Sequence, residues 1–523
     1  MTKMPQTTTQ QKKNKAGRKV LRFFGVGLGV LLIFTAFLAC YAAGWYADTY
    51  GQLGFDAVLY TLLSDLGGVE STLIADFLRT AAIPALFWAT LVCLVLFTPW
   101  KKKLVLLIGS KFRLRLFPVR PVVALVVTLG LFGGLIYRAA DTSQLLEYLR
   151  YMGQETAIFQ NEYRDPDKTE IKFPEKKRNL VYIYLESMET TFFSRAQGGM
   201  QDTCVIPELY DLAANNVSFS CTGGVGGLHC GAGAGWTIGA MVTQTAGIPL
   251  KTPPGMDGND YGGDGAFLPG AASLTDVLHD NGYYQALMVG SDADFGGRAT
   301  YFKSHNVDKI YDLFTAREDG HIPPDYIEWW GFEDIRLYQY AKKELPKLAE
   351  QDQPFAFYML TADTHHVDGY ICPYCESTYE KQYENVFSCA SRQAMDFVQW
   401  LQEQDFYENT TVVIVGDHPS MDNAYIQSVL DDENYVRDVY NCFINSAVRP
   451  VRSINRVAYT IDMFPTVLAA MGCEIKGQRL GLGTNLFADV PTLGEKMGGE
   501  AFNWEMNKHS AYYTNRFFLG TRE

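Results

Sequence analysis

Histidine is scarce in this chain, with eight among 523 residues. Two histidines side by side therefore carry more weight than they would elsewhere. Basic residues are also in deficit: 45 Lys and Arg face 58 Asp and Glu, a formal net charge of −13. That balance excludes free nucleic acid as a partner. No Gly-Lys-Ser/Thr ending follows the glycine-rich stretch 223–235, so there is no nucleotide-binding P-loop. No internal repeat is present. Only one Cys-x-x-Cys exists, Cys372-Pro-Tyr-Cys375. Without a second one a zinc knuckle is not expected, and no thioredoxin-like strand precedes it. A local disulfide is the expectation.

Long apolar runs are abundant, and they are confined to the first 140 residues. They cover about Val20–Tyr46, Ala81–Trp100 and Val119–Tyr137. Each is close to or above the ~20 residues that a helix needs to cross a bilayer. The first is too long for a signal peptide and no small-residue cleavage site follows it. Lys12, Lys13, Lys15, Arg18, Lys19 and Arg22 flank the first run. Lys101, Lys102, Lys103, Lys111, Arg113 and Arg115 lie between the second and third. The loop from Asp48 to Asp76 has no Lys or Arg. The basic flanks place the N-terminus and second loop in the cytoplasm, and three crossings put everything beyond about Arg138 outside. Cys40 and Cys93 fall in the spans. The other eight cysteines (Cys204, Cys221, Cys230, Cys372, Cys375, Cys389, Cys442 and Cys473) fall in the exterior part, where an even count permits disulfides.

Four regions are expected. Residues 1–19 form a polar, disordered cytoplasmic tail, and 20–137 hold the three transmembrane helices. Residues 138–178 form a linker, and 179–523 an extracytoplasmic domain. That domain alternates strands (180–185, 217–220, 284–289, 354–360, 411–415) with helices (207–215, 273–281, 328–350, 384–404, 460–471). The alternation predicts an α/β fold, a mainly parallel sheet sandwiched by helices.

Three strand ends and one helix start carry the chemistry. Glu186 follows the strand Leu180–Leu185. Thr361-Ala-Asp-Thr-His-His366 follows the strand Pro354–Leu360. Asp417 and His418 follow Thr411–Val415 and the turn at Gly416. Thr237, after Gly235 and Trp236, opens a helix whose free N–H groups favour phosphate. Each has a plain reading alone: Glu186 as a cap or surface acid, Thr237 as a helix cap, one of His365 and His366 as structural. Ser187 and Glu189 are neighbours that could stand in for Glu186. Carboxyl ends of parallel strands share one edge, however, and Glu, Asp and His around one divalent ion with a Thr oxygen is sound coordination chemistry. His229 and His305 lack ligand-like neighbours. Asp257, Asp260 and Asp264 lie in a glycine-rich loop that reads as solvated rather than calcium-binding.

Taken in order, Leu185-Glu-Ser187, Gly235-Trp-Thr-Ile238, Asp363-Thr-His-His366 and Gly416-Asp-His418 resemble the phosphoglycerol transferases of the sulfatase and alkaline phosphatase superfamily. These include the lipoteichoic acid synthases, and the glucan-modifying branch is the most similar. The resemblance spans roughly residues 179–490. It implies one divalent ion on Glu186, Thr237, Asp417 and His418, manganese as in the lipoteichoic branch, with magnesium or zinc as alternatives. It implies Thr237 as nucleophile, Arg298 and His365 at the substrate phosphate, and His366 and Trp236 beside the substrate. The donor would be phosphatidylglycerol and the acceptor a glycan or teichoic-type polymer, at the outer face of the cell membrane. One departure stands out: the lipoteichoic enzymes carry a Trp two residues before the Arg, and here Gly296 stands there. No cysteine has the Cys-x-Pro-x-Arg setting of a sulfatase nucleophile. A phosphodiesterase, a sulfatase-like hydrolase or a phosphoethanolamine transferase on the same fold is the alternative, and a non-catalytic membrane sensor or scaffold the remaining one.

Overall fold

The computed structural model of the protein describes residues 7–51, 54–63, 71–98, 104–108, 112–116, 121–251, 265–432 and 434–521. Asp257, Asp260, Asp264 and the basic residues Lys101, Lys102, Lys103 and Lys111 lie outside them. The chain forms two compact units. One takes Met1–Gln52 and Val69–Glu147; the other takes Leu53–Gly68 and Tyr148–Glu523.

The first unit holds three helices long and apolar enough to cross a membrane: Val20–Tyr50, Ile74–Phe97 and Pro121–Thr142. Phe23, Leu31, Phe87 and Val126 stay exposed along them, which suits contact with lipid rather than water. The first helix begins at Thr7, inside the tail expected to be disordered, where Gln, Lys and Ala are good helix formers. Pro84 carries no N–H to donate, and the turn before it widens into a π-helix over Leu78–Ala82. A hairpin pairs Leu104–Ile108 with Phe112–Leu116 between the second and third spans.

The second unit is built on a seven-stranded sheet. Its strands are β1 (Asn179–Leu185), β2 (Gly227–His229), β3 (Tyr284–Val289), β4 (Lys309–Tyr311), β5 (Phe355–Leu360), β6 (Thr410–Gly416) and β7 (Asp438–Ile444). The spatial order is β2-β7-β6-β1-β5-β3-β4. From β6 to β4 the pairing is parallel, and β7 and β2 add antiparallel partners at one edge. Every residue of β1 and β6 is buried, as expected for strands covered on both faces. Leu180, Tyr182 and Tyr184 of β1 point into one apolar layer, with Met241, Val242, Phe464 and Val467 from the helices Thr237–Ala246 and Met463–Ala470. Val181, Ile183 and Leu185 point into the other, with Leu209, Leu337 and Phe387 from Pro207–Asn215, Asp334–Ala349 and Gln382–Gln402.

The α/β sandwich is the expected one, with local differences. Val217–Ser220 is not a strand; Val217 makes a single bridge to Phe443. The glycine-rich stretch expected as loop contributes β2. Within the segment expected as a linker, Phe159 is fully buried in the core. Residues 328–331 form a tight turn, Glu328 and Gly331 exchanging backbone hydrogen bonds, and the helix starts only at Asp334.

Candidate active site

The site lies where β1, β5 and β6 end together. Their register aligns Leu185 with Gly416 and Tyr184 with Leu360, so Glu186 emerges between Asp417 and Thr361. Two glycine positions permit the local backbone. A Cβ on Gly416 would stand 1.9 Å from the Met188 carbonyl oxygen. Gly233, with φ +66°, has no room for a Cβ beside Leu250, and the loop it allows leads into the helix that Thr237 opens.

Glu186, Asp417 and His418 are all buried, and ligand atoms of the three lie within 4.8 Å of one another. His418 Nδ1–H donates to the Pro419 carbonyl at 2.9 Å. That bond fixes the tautomer and leaves the Nε2 lone pair facing inward, 3.3 Å from Asp417 Oδ2 and 3.6 Å from Glu186 Oε1. Asp417 Oδ1 accepts from the Ser187 and His418 amides at 2.8 and 2.7 Å, while its Oδ2 has no hydrogen-bond partner. Burial, and then the Glu186 charge, push the Asp417 carboxyl well above its usual range. Burial opposes the Glu186 charge, but His418 and His365 outweigh it and hold that carboxyl below its usual range. Two acids and an imidazole lone pair, converging in the interior with one oxygen unpaired, are a donor set that suits a divalent cation.

Thr237 sits at the mouth of this cluster, half-buried. Its Oγ1 lies 3.4 Å from Glu186 Oε2 and 3.4 Å from His418 Nε2. It is the first residue of the helix Thr237–Ala246, at the positive end of the dipole. Of the two acids that could have replaced one another, Glu186 reaches the cluster. Glu189 instead pairs with Arg437 and accepts from the Ser420 amide at 3.0 Å, bracing the segment after His418. Ser187 donates to Glu186 Oε1 at 2.8 Å.

The loop after β5 is strapped to the cluster. Thr361 Oγ1 accepts from the Glu186 amide at 3.1 Å, and Thr364 Oγ1 donates to the Glu186 carbonyl at 2.6 Å. His365 Nδ1–H donates to the His366 carbonyl at 2.8 Å, so its Nε2 is the free nitrogen. Burial pushes the His365 imidazole down. His366 stacks behind it at 4.3 Å and is buried. Trp236 is the N-cap residue before Thr237 and is half-buried. Arg298 lies close enough to His365 for its charge to oppose protonation there. Its guanidinium is oriented by Ser291 Oγ at 3.0 Å, Asp292 O at 2.8 Å and Phe295 O at 3.0 Å.

Two participants carried no sequence signal. Trp330 packs on His365 at 4.7 Å and on Phe295 at 5.5 Å, an aromatic wall beside Gly296. Gln244, on the helix that Thr237 opens, donates to the Gly416 and Asp417 carbonyls at 3.2 and 3.4 Å and accepts from Tyr182 at 2.7 Å. Gln244→Ala leaves these buried groups unpaired and should cost about 1–3 kcal/mol of stability. An unchanged unfolding midpoint would remove Gln244 from this role. His229 and His305 do have acidic partners, Asp438 at 2.6 Å and Asp276 at 2.7 Å. Cys221 joins His229 and Asp438 in a separate cluster.

This arrangement of a parallel sheet, a buried acid–acid–imidazole cluster and a helix-opening hydroxyl matches a known class: a family model described as sulfatase covers residues 178–473, and the chain belongs to that family. Phosphoglycerol transferase I of Xanthomonas campestris pv. campestris (strain B100) is 31% identical over 363 residues, 68% of this chain and 48% of that protein. Phosphoglycerol transferase I of Salmonella choleraesuis (strain SC-B67) is 29% identical over 489 residues, 90% of this chain and 57% of that protein. The chain thus spans about half the length of the curated relatives it matches. Among solved structures, an alkaline phosphatase superfamily protein from Vibrio parahaemolyticus aligns with a TM-score of 0.49 at 19% identity, over 66% of this chain and 82% of that one. The resemblance drawn from the four motifs is borne out.

Proposed function

We propose that this protein is a membrane-anchored phosphoglycerol transferase. In this reading Thr237 takes glycerophosphate from phosphatidylglycerol and passes it to a hydroxyl of a glycan or polyglycerophosphate. The observation that carries it is Thr237 Oγ1, held at a helix N-terminus and equally far from Glu186 and His418. The relatives named phosphoglycerol transferase I supply the choice of group transferred. Three apolar helices give the tether a physical reason, since the donor is a lipid. The basic flanks of the spans support a domain outside the cell.

Glu186, Asp417, His418 and Thr237 would hold one divalent ion, manganese for preference, whose Lewis acidity would make the Thr237 hydroxyl more acidic and offset phosphate charge. Thr237 Oγ1 gives its proton to Glu186 Oε2 and bonds to phosphorus. The bond from phosphorus to the diacylglycerol oxygen breaks, and His365, which the negative phosphate of the bound donor brings to its protonated form against the effect of burial, delivers a proton to that oxygen from Nε2. Diacylglycerol leaves and a glycerophosphoryl-threonine remains. In the second step an acceptor hydroxyl gives its proton to the now neutral His365 and bonds to phosphorus. The Thr237 oxygen departs and recovers its proton from Glu186. Arg298 and the amides of the first helical turn stabilise the phosphoryl oxygens. Trp330 and Phe295 supply the apolar wall against which a glycerol headgroup packs.

The direct test is purified protein in vesicles of headgroup-labelled phosphatidylglycerol. Diacylglycerol should accumulate, and acid-stable label should be found on the peptide containing Thr237. Absence of both would sink the proposal. Release of diacylglycerol from phosphatidylethanolamine alone would turn it into a phosphoethanolamine transferase. Exhaustive chelation should lower the rate by about 100-fold or more, consistent with losing several kcal/mol of charge stabilisation. Manganese should restore it, and full activity after chelation would remove the ion from the mechanism.

A further inference from the structure

A second sulfur-rich site stands apart from the phosphate chemistry. Cys372, Cys375 and Cys389 bring their sulfurs within 4.8 Å of one another, and all three are free thiols. The Cys372 sulfur is 3.7 Å from that of Cys375 and 3.7 Å from that of Cys389. The expected Cys372–Cys375 disulfide is therefore not formed, since bonded sulfurs stand about 2.05 Å apart. Two thiolates on one tetrahedral zinc, at about 2.3 Å each, stand about 3.8 Å apart. We propose that Cys372, Cys375 and Cys389 hold a structural zinc ion that pins the segment carrying His365 to the helix Gln382–Gln402.

The local backbone is arranged for it. Cys372-Pro-Tyr-Cys375 makes a tight turn, with the Cys375 amide donating to the Cys372 carbonyl at 3.0 Å. Gln393, one turn after Cys389, lies nine-tenths buried over the group. Its amide nitrogen is 3.3 Å from the Cys389 sulfur and 3.8 Å from that of Cys372, so the sulfurs are met as acceptors. Its Oε1 has no hydrogen-bond partner. A half-turn of the amide brings that oxygen to the sulfur triangle as a fourth ligand. Three thiolates and a divalent ion carry one negative charge, and Arg392, donating to Tyr374 O at 3.4 Å and Ser388 Oγ at 2.9 Å, lies alongside to offset it. Soft sulfur donors in a closed tetrahedral group select zinc over the harder ions suited to Glu186 and Asp417.

The position gives the ion its purpose. The chain leaves β5, passes Thr364 and His365, and reverses at Gly369, where φ is +62° and a Cβ would meet the Asp363 carbonyl at 2.7 Å. It then reaches Cys372. Cys389 lies on the helix whose Tyr383 donates to Thr364 O at 2.9 Å. The ion closes the far end of a loop whose near end Tyr383 already holds.

The test uses the full chain produced with cobalt in place of zinc. A thiolate-to-cobalt charge-transfer band should appear and should be lost in Cys375→Ser and in Cys389→Ser. Cys221→Ser should keep it, since that cysteine belongs to the His229 cluster. On the unmodified protein, titrating the thiols with an organomercurial should release one zinc per chain, a readout that needs no variant to fold. The proposal is overturned by non-reduced peptides containing a disulfide among the three cysteines. It is equally overturned by a cobalt protein with no charge-transfer band, or by a band that follows Cys221 rather than Cys389.

Discussion

Thr237→Ala should leave the fold intact and reduce transfer by about 10⁴-fold or more, the scale of removing a covalent nucleophile. The side chain is half-buried, and its hydroxyl contacts with Glu186 and His418 are both long, at 3.4 Å. Stability should therefore change little, because no packed group is left in a cavity and alanine is a good helix former. The loss belongs to the chemical step. In the proposed reaction the donor is held by the rest of the site, so the variant should still associate with phosphatidylglycerol vesicles. Thr237→Ser separates nucleophile from scaffold. It keeps the oxygen and loses only the methyl that restricts its rotamer, so it should retain part of the activity and carry the label on serine. The measurement is diacylglycerol release together with mapping of the labelled peptide. If Thr237→Ala still forms a labelled enzyme, the nucleophile lies elsewhere. If it releases diacylglycerol at the normal rate without label, the donor is hydrolysed directly.

How far the site could be read from the residues depended on its depth in the sheet. β1 and β6 are buried on both faces, so they read as unbroken apolar runs, and the acid after each marks its end. Thr237 was legible because glycines precede it and an apolar helical pattern follows. β7 was not. It carries Asp438 and Asn441, which break the apolar run. Each is satisfied by a distant partner: Asp438 by His229, Asn441 by both backbone groups of Phe219. His229 lies inside the glycine-rich stretch that reads as loop, and Phe219 lies in the segment before it, which reads as a strand of its own. His229 reads as isolated for the same reason, its partner Asp438 being more than two hundred positions away. Gln244 and Trp330 occupy positions where polar or aromatic side chains are unremarkable, and only the folded neighbourhood gives them work. Cys389 sits in the middle of a long helix, so nothing in its spacing from Cys375 suggests a third sulfur.

Gly416→Ala should damage both stability and activity, and its cause is backbone geometry alone. The added methyl carbon would stand 1.9 Å from the Met188 oxygen and 3.0 Å from Val439 Cγ1. The first contact is with a carbonyl, not with a side chain that can rotate away. Met188 cannot retreat cheaply: its carbonyl accepts the Tyr440 amide at 3.1 Å and its amide donates to Leu185 O at 3.3 Å. Relief must come from separating β6 and β1 at their ends, which breaks the Asp417 amide bond to Leu185 O at 3.2 Å and moves Asp417 and His418 away from Glu186. A displacement of about 1 Å at such a site is enough to cost on the order of 100-fold in rate. Overpacking against fixed backbone should cost about 3 kcal/mol or more. Thermal unfolding of the solubilised chain would show the midpoint fall, and the rate should fall with it even well below that midpoint. An unchanged midpoint would mean that the two strand ends are not held together as described. A lowered midpoint with a normal rate would mean that Asp417 and His418 do not depend on this turn for their placement.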